Sequence, residues 1–599
     1  MSKRPRVRAP ELRGRAWLNT GGRELATADF RGRFLLLDFW TFCCVNCLHV
    51  LDELRPLEER YDGELVVVGV HSPKFAHEAD PDALAAAVER YEVAHPVLDD
   101  PELETWQAYT ARAWPTLVLV DPEGYVVAQY AGEGHAHAVD ALVAELRVEH
   151  AAKGTLQPGD SPYVPPAPEP RELRFPAKAV RLPGGGFLVA DAGHHRVVEL
   201  AADAESVVRR IGSGSRGLAD GLPPEASFNE PNGLVLLPED VAARAGYDVV
   251  VADTVNHALR GIDLESGEVR TLAGDGEQWM QGGTTASLSS PWDVAWWQDR
   301  VWVAMAGIHQ LWTFDPVTGA VEVAAGTTNE GLLDGPFDRA WFAQTSGFAV
   351  DGDRLWLVDS ETSSLRYAEA AAVHTAVGRG LFDFGFQDGP AEKALMQHPL
   401  GVTALPDGSV AVCDTYNGAV RRFDPATGEV STLAVDLAEP SGAVLDGEHL
   451  VVVESAAHRL TRVPLGAAAR VDGFAHTARR PVTEIGEGDL ELVVSFEPPP
   501  GQKVDDRFGP PSQLLVSATP PALLRSGDGR GADLTRTLGI DPVVGEGVLH
   551  VAARAASCDA HGGEGAACHM HQQDWGVPVR VVPGGAQRLV LPLSGRSEV

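Results

Sequence analysis

Apolar and polar positions change rhythm twice along the chain. Up to residue 153, unbroken apolar runs alternate with stretches of helical period. Phe34-Leu35-Leu36-Leu37 and Leu65-Val66-Val67-Val68-Gly69-Val70 are too continuous for half-exposed strands and predict buried ones, the second central and parallel. Between them, 48–61 sets Leu51, Leu54 and Leu57 among acidic residues at the spacing of one helix face. Further helices are predicted over 82–91, 103–109 and 138–150, with a short strand over 96–98. A hairpin of 116–120 with 125–130 is predicted around Asp121-Pro122-Glu123-Gly124, a turn sequence. Strands alternating with helices predict an α/β first domain, residues 1–153.

Residues 154–171 carry a crowd of prolines and predict an extended, semi-rigid linker. Beyond it a unit of roughly fifty-five residues recurs, a period diagnostic of repeat folds. It is clearest at Pro231-Asn232-Gly233, Asp253-Thr254-Val255-Asn256 and Leu259-Arg260, and again at Pro399-Leu400-Gly401, Asp414-Thr415-Tyr416-Asn417 and Val420-Arg421. Weaker copies begin at Pro176, Pro291, Thr345 and Pro440, which makes six. Each holds about four short β runs between Gly, Pro, Asp and Asn turns, so an all-β six-bladed propeller is predicted over 172–466. Asp253, Asp359 and Asp414 read as turn residues whose carboxylates accept backbone N–H groups. Blade three departs with Ala304-Met305-Ala306-Gly307 and blade six with Glu454; blade six is also short, so a strand borrowed from elsewhere is expected to complete it. Gly-rich, acidic connections at 212–221, 274–283, 326–335 and 378–389 occupy the same place in their repeats and predict a loop surface on one face of the ring. Cys413 lies within a strand run and reads as a small buried hydrophobe. From 481 to 599 the period becomes two, with strands over 490–496, 513–517, 548–553, 577–581 and 588–593, and predicts a small β-sandwich.

Charge narrows the partners. A net charge of −35 argues against nucleic acid or an anionic membrane. The basic residues Lys3, Arg4, Arg6, Arg8, Arg13 and Arg15 precede no apolar stretch of a secretory signal, and no apolar run of ~18 residues is present, so a monomeric cytoplasmic protein is expected. Six cysteines in so long a chain fit a reducing compartment, where a cluster is catalytic or metal-binding more often than structural.

Three of those cysteines stand in Asp38-Phe39-Trp40-Thr41-Phe42-Cys43-Cys44-Val45-Asn46-Cys47, at a predicted strand-to-helix junction. A cysteine at a helix N-terminus faces unpaired N–H groups and ionises readily, which singles out Cys44. Cys47, one turn in, is placed to attack a mixed disulfide formed on Cys44. The spacing alone also suits half a zinc site. The segment resembles the thioredoxin family. That resemblance implies Cys44 as nucleophile, Cys47 as resolving thiol, Asp38 as the buried carboxylate of proton transfer, and no cofactor. It also implies a cis-proline at Pro115 in Ala113-Trp114-Pro115-Thr116. Cys43 replaces the family's usual tryptophan, and Val45-Asn46 its usual Gly-Pro. The helix between Val70 and Pro96 resembles the TlpA-like and peroxiredoxin-like branches. At the carboxyl edge of the central strand, where α/β sheets place their sites, His71, Lys74 and Glu78 are candidates to stand by the cysteines and move a proton. In the C-terminal segment, Cys558 and Cys568 with His561, His569 and His571 fall in a predicted loop, as a metal-ligand set or a bridged hairpin.

The blades resemble NHL repeats. The order thioredoxin-like domain, NHL propeller, C-terminal β-domain resembles the NHL repeat-containing thioredoxin proteins over essentially the whole chain, through Cys43–Cys47 and the Gly69–Phe75 segment. This resemblance fixes architecture better than activity; the function expected from the cysteine pair is a cytoplasmic thiol-disulfide oxidoreductase acting on a protein client or redox partner docked by the propeller. The alternative is an interaction scaffold with idle cysteines. A propeller lactonase or lyase would need an acid cluster peculiar to one blade, and the sequence offers none.

Overall fold

The apolar runs form the strands they predict. In the computed structural model, which describes residues 7–593 apart from 168, 280–283, 382, 467–469, 478–481, 497, 499–501, 505–509 and 560–567, the chain forms two units. One comprises Met1–Lys74, Glu78–Ala167 and Arg479–Val599; the other comprises Phe75–His77 and Pro168–Ala478. No helix among the described residues is long and apolar enough to cross a membrane.

The first unit opens with a thioredoxin-like domain. Its elements are β1 (Ala16–Leu18), β2 (Phe34–Trp40), α1 (Val45–Arg60), β3 (Leu65–His71), α2 (Pro81–Arg90), β4 (Val97–Asp99), α3 (Glu104–Ala108), β5 (Thr116–Val120), β6 (Val126–Ala131) and α4 (Ala136–Lys153). The sheet order is β1-β4-β3-β2-β5-β6, with β2, β3 and β4 parallel and the outer strands antiparallel. Every residue of β2 and β3 is buried because both faces of the sheet are covered. Leu35, Leu37 and Phe39 pack with Trp106 and Tyr109 on one face, while Phe34 and Leu36 pack with Val50, Leu54 and Val143 on the other. Each such side chain contributes about 1.5–3 kcal/mol by leaving water.

Residues 157–164 run extended along this domain. Gln157 N–H donates to Gly32 O (2.7 Å), Gly159 N–H to Gly63 O (3.0 Å) and Val164 N–H to Asn19 O (2.8 Å). The proline-rich stretch is therefore pinned by its backbone along much of its length.

The β-sandwich of the same unit has a sheet built around the long hairpin Glu546–Asp559 and Cys568–Val581, and a second around Gly488–Phe496, Thr535–Ile540 and Arg588–Leu593. Its core is the inward half of these alternating strands, among them Leu490, Leu492, Leu514, Val551, Trp575 and Leu591. Ala113 of the thioredoxin-like domain is buried in the same apolar cluster.

The second unit is a six-bladed propeller. Its innermost strands are Ala179–Arg181, Pro231–Leu236, Pro291–Trp297, Thr345–Asp351, Gly401–Ala404 and Pro440–Asp446, and each opens a separate antiparallel sheet. Inner strands converge on the axis, which explains the recurring glycine: a Cβ on Gly347 would lie 2.6 Å from Leu400 O, and one on Gly401 2.8 Å from Gly442 Cα. Lys178 reaches across the bore, where its Nζ donates to Asp293 Oδ2 (2.8 Å), Ser346 O (2.6 Å) and Leu400 O (2.9 Å). Within the unit, the Phe75 ring packs on Phe384, His398 and Tyr416, and His77 Nε2 meets Glu439 (2.9 Å).

Two expectations fail here. The sixth sheet has three strands, Pro440–Asp446, His449–Glu454 and Arg459–Pro464, and no borrowed strand joins it among the described residues. The strand that follows, Asp472–Thr477, pairs instead with Asp383–Gln387, inside the connection expected to be an open loop. The acidic connections are also less free than their composition suggests, because Asp220, Asp334 and Asp388 pair with the buried Arg260, Arg366 and Arg421.

Candidate functional site

The strand β2 ends at Trp40 and α1 begins at Val45, so Thr41 to Cys44 make the turn between them. Cys44 is the N-cap of α1, with extended backbone (φ −90°, ψ 113°), and its carbonyl accepts from the N–H groups of Cys47 (3.0 Å) and Leu48 (3.2 Å). Cys44 is half-buried, whereas Cys43 and Cys47 are buried, and all three are free thiols. Burial is the main cause that pushes the Cys47 thiol well up, and a hydrogen bond with Cys44 and the charge of Asp38 add to it, against a backbone bond from Thr41. Of the pair, the thiol at the helix start is thus the accessible one, and burial favours the protonated form of the other.

Asp38 sits on β2 with no exposure, and neither carboxyl oxygen has a hydrogen-bond partner among the described residues. Burial, with the charges of Glu58 and Glu53, raises its carboxyl well above the usual range.

The Trp114–Pro115 peptide is cis. Pro115 O accepts from Gly132 N–H (2.8 Å), and Trp114 Nε1–H donates to Ser72 O (2.8 Å), which fixes this loop to the strand ends beside it.

Of the three residues at and after the end of β3, Glu78 reaches the cysteine turn by hydrogen bonds and His71 by ring stacking. Its buried Oε1 accepts from Thr41 Oγ1–H (2.6 Å) and Cys43 N–H (2.9 Å), and its Oε2 from Lys74 N–H (2.9 Å). Lys74 enters through its backbone. His71 is fully buried, its ring edge-on to Trp40 and stacked on Phe42, and burial pushes its imidazole down to about 3, so it stays neutral. Its described side-chain contacts are ring packing against Trp40 and Phe42.

Sequence reasoning missed a second polar group on α1. His49, a half-turn past Cys47, is paired with Glu133 in the loop after β6, and Glu53 Oε1 accepts Gly134 N–H (2.9 Å). Burial pushes the Glu53 carboxyl up to about 7, with Glu133 adding to it. Burial opposes charge on His49, yet the neighbouring Glu133, Glu53 and Asp52 leave its imidazole raised overall. The signal in the sequence is a histidine on the apolar side of the helix; its partner lies 84 residues on and no local pattern reveals it.

The C-terminal cysteines fall on strands, not in a loop. Cys558 and Cys568 are register partners across the long hairpin, and Cys558 is disulfide-bonded, so it offers no thiolate to a metal. His571 Nε2 bonds Ser557 Oγ (2.8 Å). His561 and the side chains of Cys568 and His569 lie outside the described residues.

Comparison with known proteins follows the two units. Residues 32–126 match the thioredoxin-like family model and residues 396–423 the NHL repeat model. Protein SUPPRESSOR OF QUENCHING 1, chloroplastic, of Arabidopsis thaliana is 36% identical over 499 residues, 76% of this chain and 46% of that protein. NHL repeat-containing protein 2 of Gallus gallus is 34% identical over 472 residues, 71% of this chain and 63% of that protein. Protein DipZ of Mycobacterium bovis is 33% identical over 187 residues, 30% of this chain and 27% of its own length. The chain thus spans between about half and two thirds of the length of the first two relatives.

Proposed function

We propose, from a chain that joins a thioredoxin-like domain to an NHL-repeat propeller, that it is a thiol-disulfide oxidoreductase working on a protein client. The observation that carries this is the pairing of a half-buried Cys44 at the N-cap of α1 with a fully buried Cys47 one turn inside, beside a cis-proline loop. The dipole of α1, whose N-cap is Cys44, favours the Cys44 thiolate as attacking group.

The chemistry follows from the burial. Cys44 thiolate attacks one sulfur of a client disulfide, so a mixed disulfide forms and one client thiolate leaves. Cys47 then attacks the Cys44 sulfur; the S–S bond to the client breaks, the Cys44–Cys47 bond forms, and the second client thiol departs. The client gains the electron pair that the dithiol loses. Cys47 must shed its proton first, and Asp38, a buried carboxyl whose charge already acts on that thiol, is the group to accept it. The propeller would serve as docking platform for the client.

Trapping tests the reading. Cys47→Ser in cells should accumulate a mixed disulfide between Cys44 and a protein partner, and Cys44→Ser should not. If the two variants capture the same proteins and the wild-type pair fails to reduce a model disulfide, the scaffold reading replaces this one.

A further inference from the structure

The geometry points to Glu78 as a positioning residue of the redox turn, one whose carboxylate fixes the segment Thr41–Cys43 and restrains ionisation of the neighbouring Cys44 thiol. This rests on the thiol-exchange reading above for its purpose, though not for its physics.

Glu78 has no exposed surface, and taking a carboxylate out of water costs several kcal/mol unless its lone pairs are answered. Here they are answered by the redox turn itself. Two of its three described bonds come from Thr41 and Cys43, which are 37 and 35 residues away in sequence, and the third comes from Lys74 N–H in its own loop. Thr41 is the joint of the turn: its carbonyl accepts Cys44 N–H (3.4 Å), and its backbone also bonds to the Cys47 sulfur. Holding Thr41 and Cys43 together therefore sets where both Cys44 and Cys47 stand.

The same carboxylate occupies the Cys43 N–H, an amide next to the attacking thiol that would otherwise be free to stabilise a thiolate. It also places a negative charge one residue from Cys44. The other ionisable groups around the turn are the Cys43 and Cys47 thiols, Asp38 on β2, the neutral His71 on β3, and Lys74. Removal of the Glu78 charge should therefore make the Cys44 thiolate easier to form and, by stabilising the reduced pair, make the disulfide more oxidising. A unit charge several ångströms from a thiolate at the effective permittivity of a protein site corresponds to a change on the order of tenfold.

The test uses the full chain with Glu78→Gln, which keeps the size and removes the charge. Two readouts are taken: the pH midpoint of Cys44 alkylation, followed on its own peptide by mass spectrometry, and the dithiol fraction in a glutathione redox buffer. The expected result is a lower midpoint and an equilibrium moved toward the dithiol on the order of tenfold. An unchanged midpoint in a variant that unfolds at the wild-type temperature overturns the inference and leaves Glu78 a structural cap. If Glu78→Gln does not fold, Thr41→Val decides: it keeps the charge and removes one donor, so the midpoint should rise, and a midpoint that stays or falls overturns the inference. A wild-type pair with no reversible couple in glutathione, combined with a lowered midpoint in Glu78→Gln, sinks the exchange reading while the Glu78 inference stands.

Discussion

Asp38 shows most directly what a site residue costs the fold. Its folded carboxyl keeps its proton to higher pH than the unfolded chain, which gives it up near the ordinary value of 3.8, because ionising it means creating a buried charge. The folded state then binds more protons, so stability is intact below that value and is lost as pH rises above it. Asp38→Asn, which cannot ionise, should therefore unfold at a higher temperature than wild type at pH 7–8, and the gain should vanish toward pH 4. The same variant should lengthen the life of the mixed disulfide, because Cys47 loses its proton acceptor; a gain in stability with no change in that lifetime would leave Asp38 without a role in the chemistry. At this scale much was legible. Cys44 and Cys47 could be picked out because a strand-to-helix junction fixes their positions locally, whereas Asp38 and Pro115 were singled out by the resemblance to the thioredoxin family. Glu78 stood level with His71 and Lys74, since the sequence does not reveal which side chain after a strand end hydrogen-bonds the turn. His49 was passed over because its partner Glu133 comes from another loop.

Among elements, the blades carry their stability in one repeated device. Asp253, Asp359 and Asp414 each accept a backbone N–H, as turn residues should, from Asn229, Ala343 and Gln397. Each also binds a fully buried arginine, Arg260, Arg366 or Arg421, which reaches a second acid in an Asp-Gly pair of the preceding connection. Arg421→Ala would leave Asp414 and Asp388 buried without their cation, and should cost about 3–5 kcal/mol in denaturant unfolding. Arg459→Ala in blade six, where the guanidinium is 64% exposed beside Glu454, should cost at most about 1 kcal/mol. Equal losses would mean that the buried network is not what holds the blade. The first acid was visible as a recurring Asp and the second only as Asp-Gly in a loop, which reads as a turn until the arginine is seen to reach it.

For the whole molecule, the question is how the ring closes. Blade one supplies its own four strands and blade six only three, so the seam is made by packing: Val189, Val198 and Leu200 against Val451, Val453 and Leu460. Ser441 Oγ–H donates to Ala177 O (2.5 Å) and Phe175 N–H to His458 Nδ1 (3.0 Å), and Arg181 pairs with Asp446. With no exchanged strand among the described residues, the seam should be the first place to open. Leu460→Ala should cost about 2–4 kcal/mol, and hydrogen exchange should rise first in blades one and six; a rise spread evenly over all six would show that the ring opens as one. The sixfold count was legible because each unit repeats its own turns. The closure was not, because blade six's shortness suggested a partner and no local pattern ties 472–477 to 383–387.

Lys178 gives that count a further meaning. Chains of repeats readily change length when a unit is duplicated or lost, since each contacts mainly its neighbours. Here one ammonium from the first blade takes acceptors from the third, fourth and fifth across the bore. A seventh blade would widen the bore and draw those acceptors apart; a fifth-order ring would crowd them. Either leaves a buried cation unanswered. The side chain acts as a gauge of circumference, and through it the ring senses its own size as a whole, something no pair of adjacent blades can do.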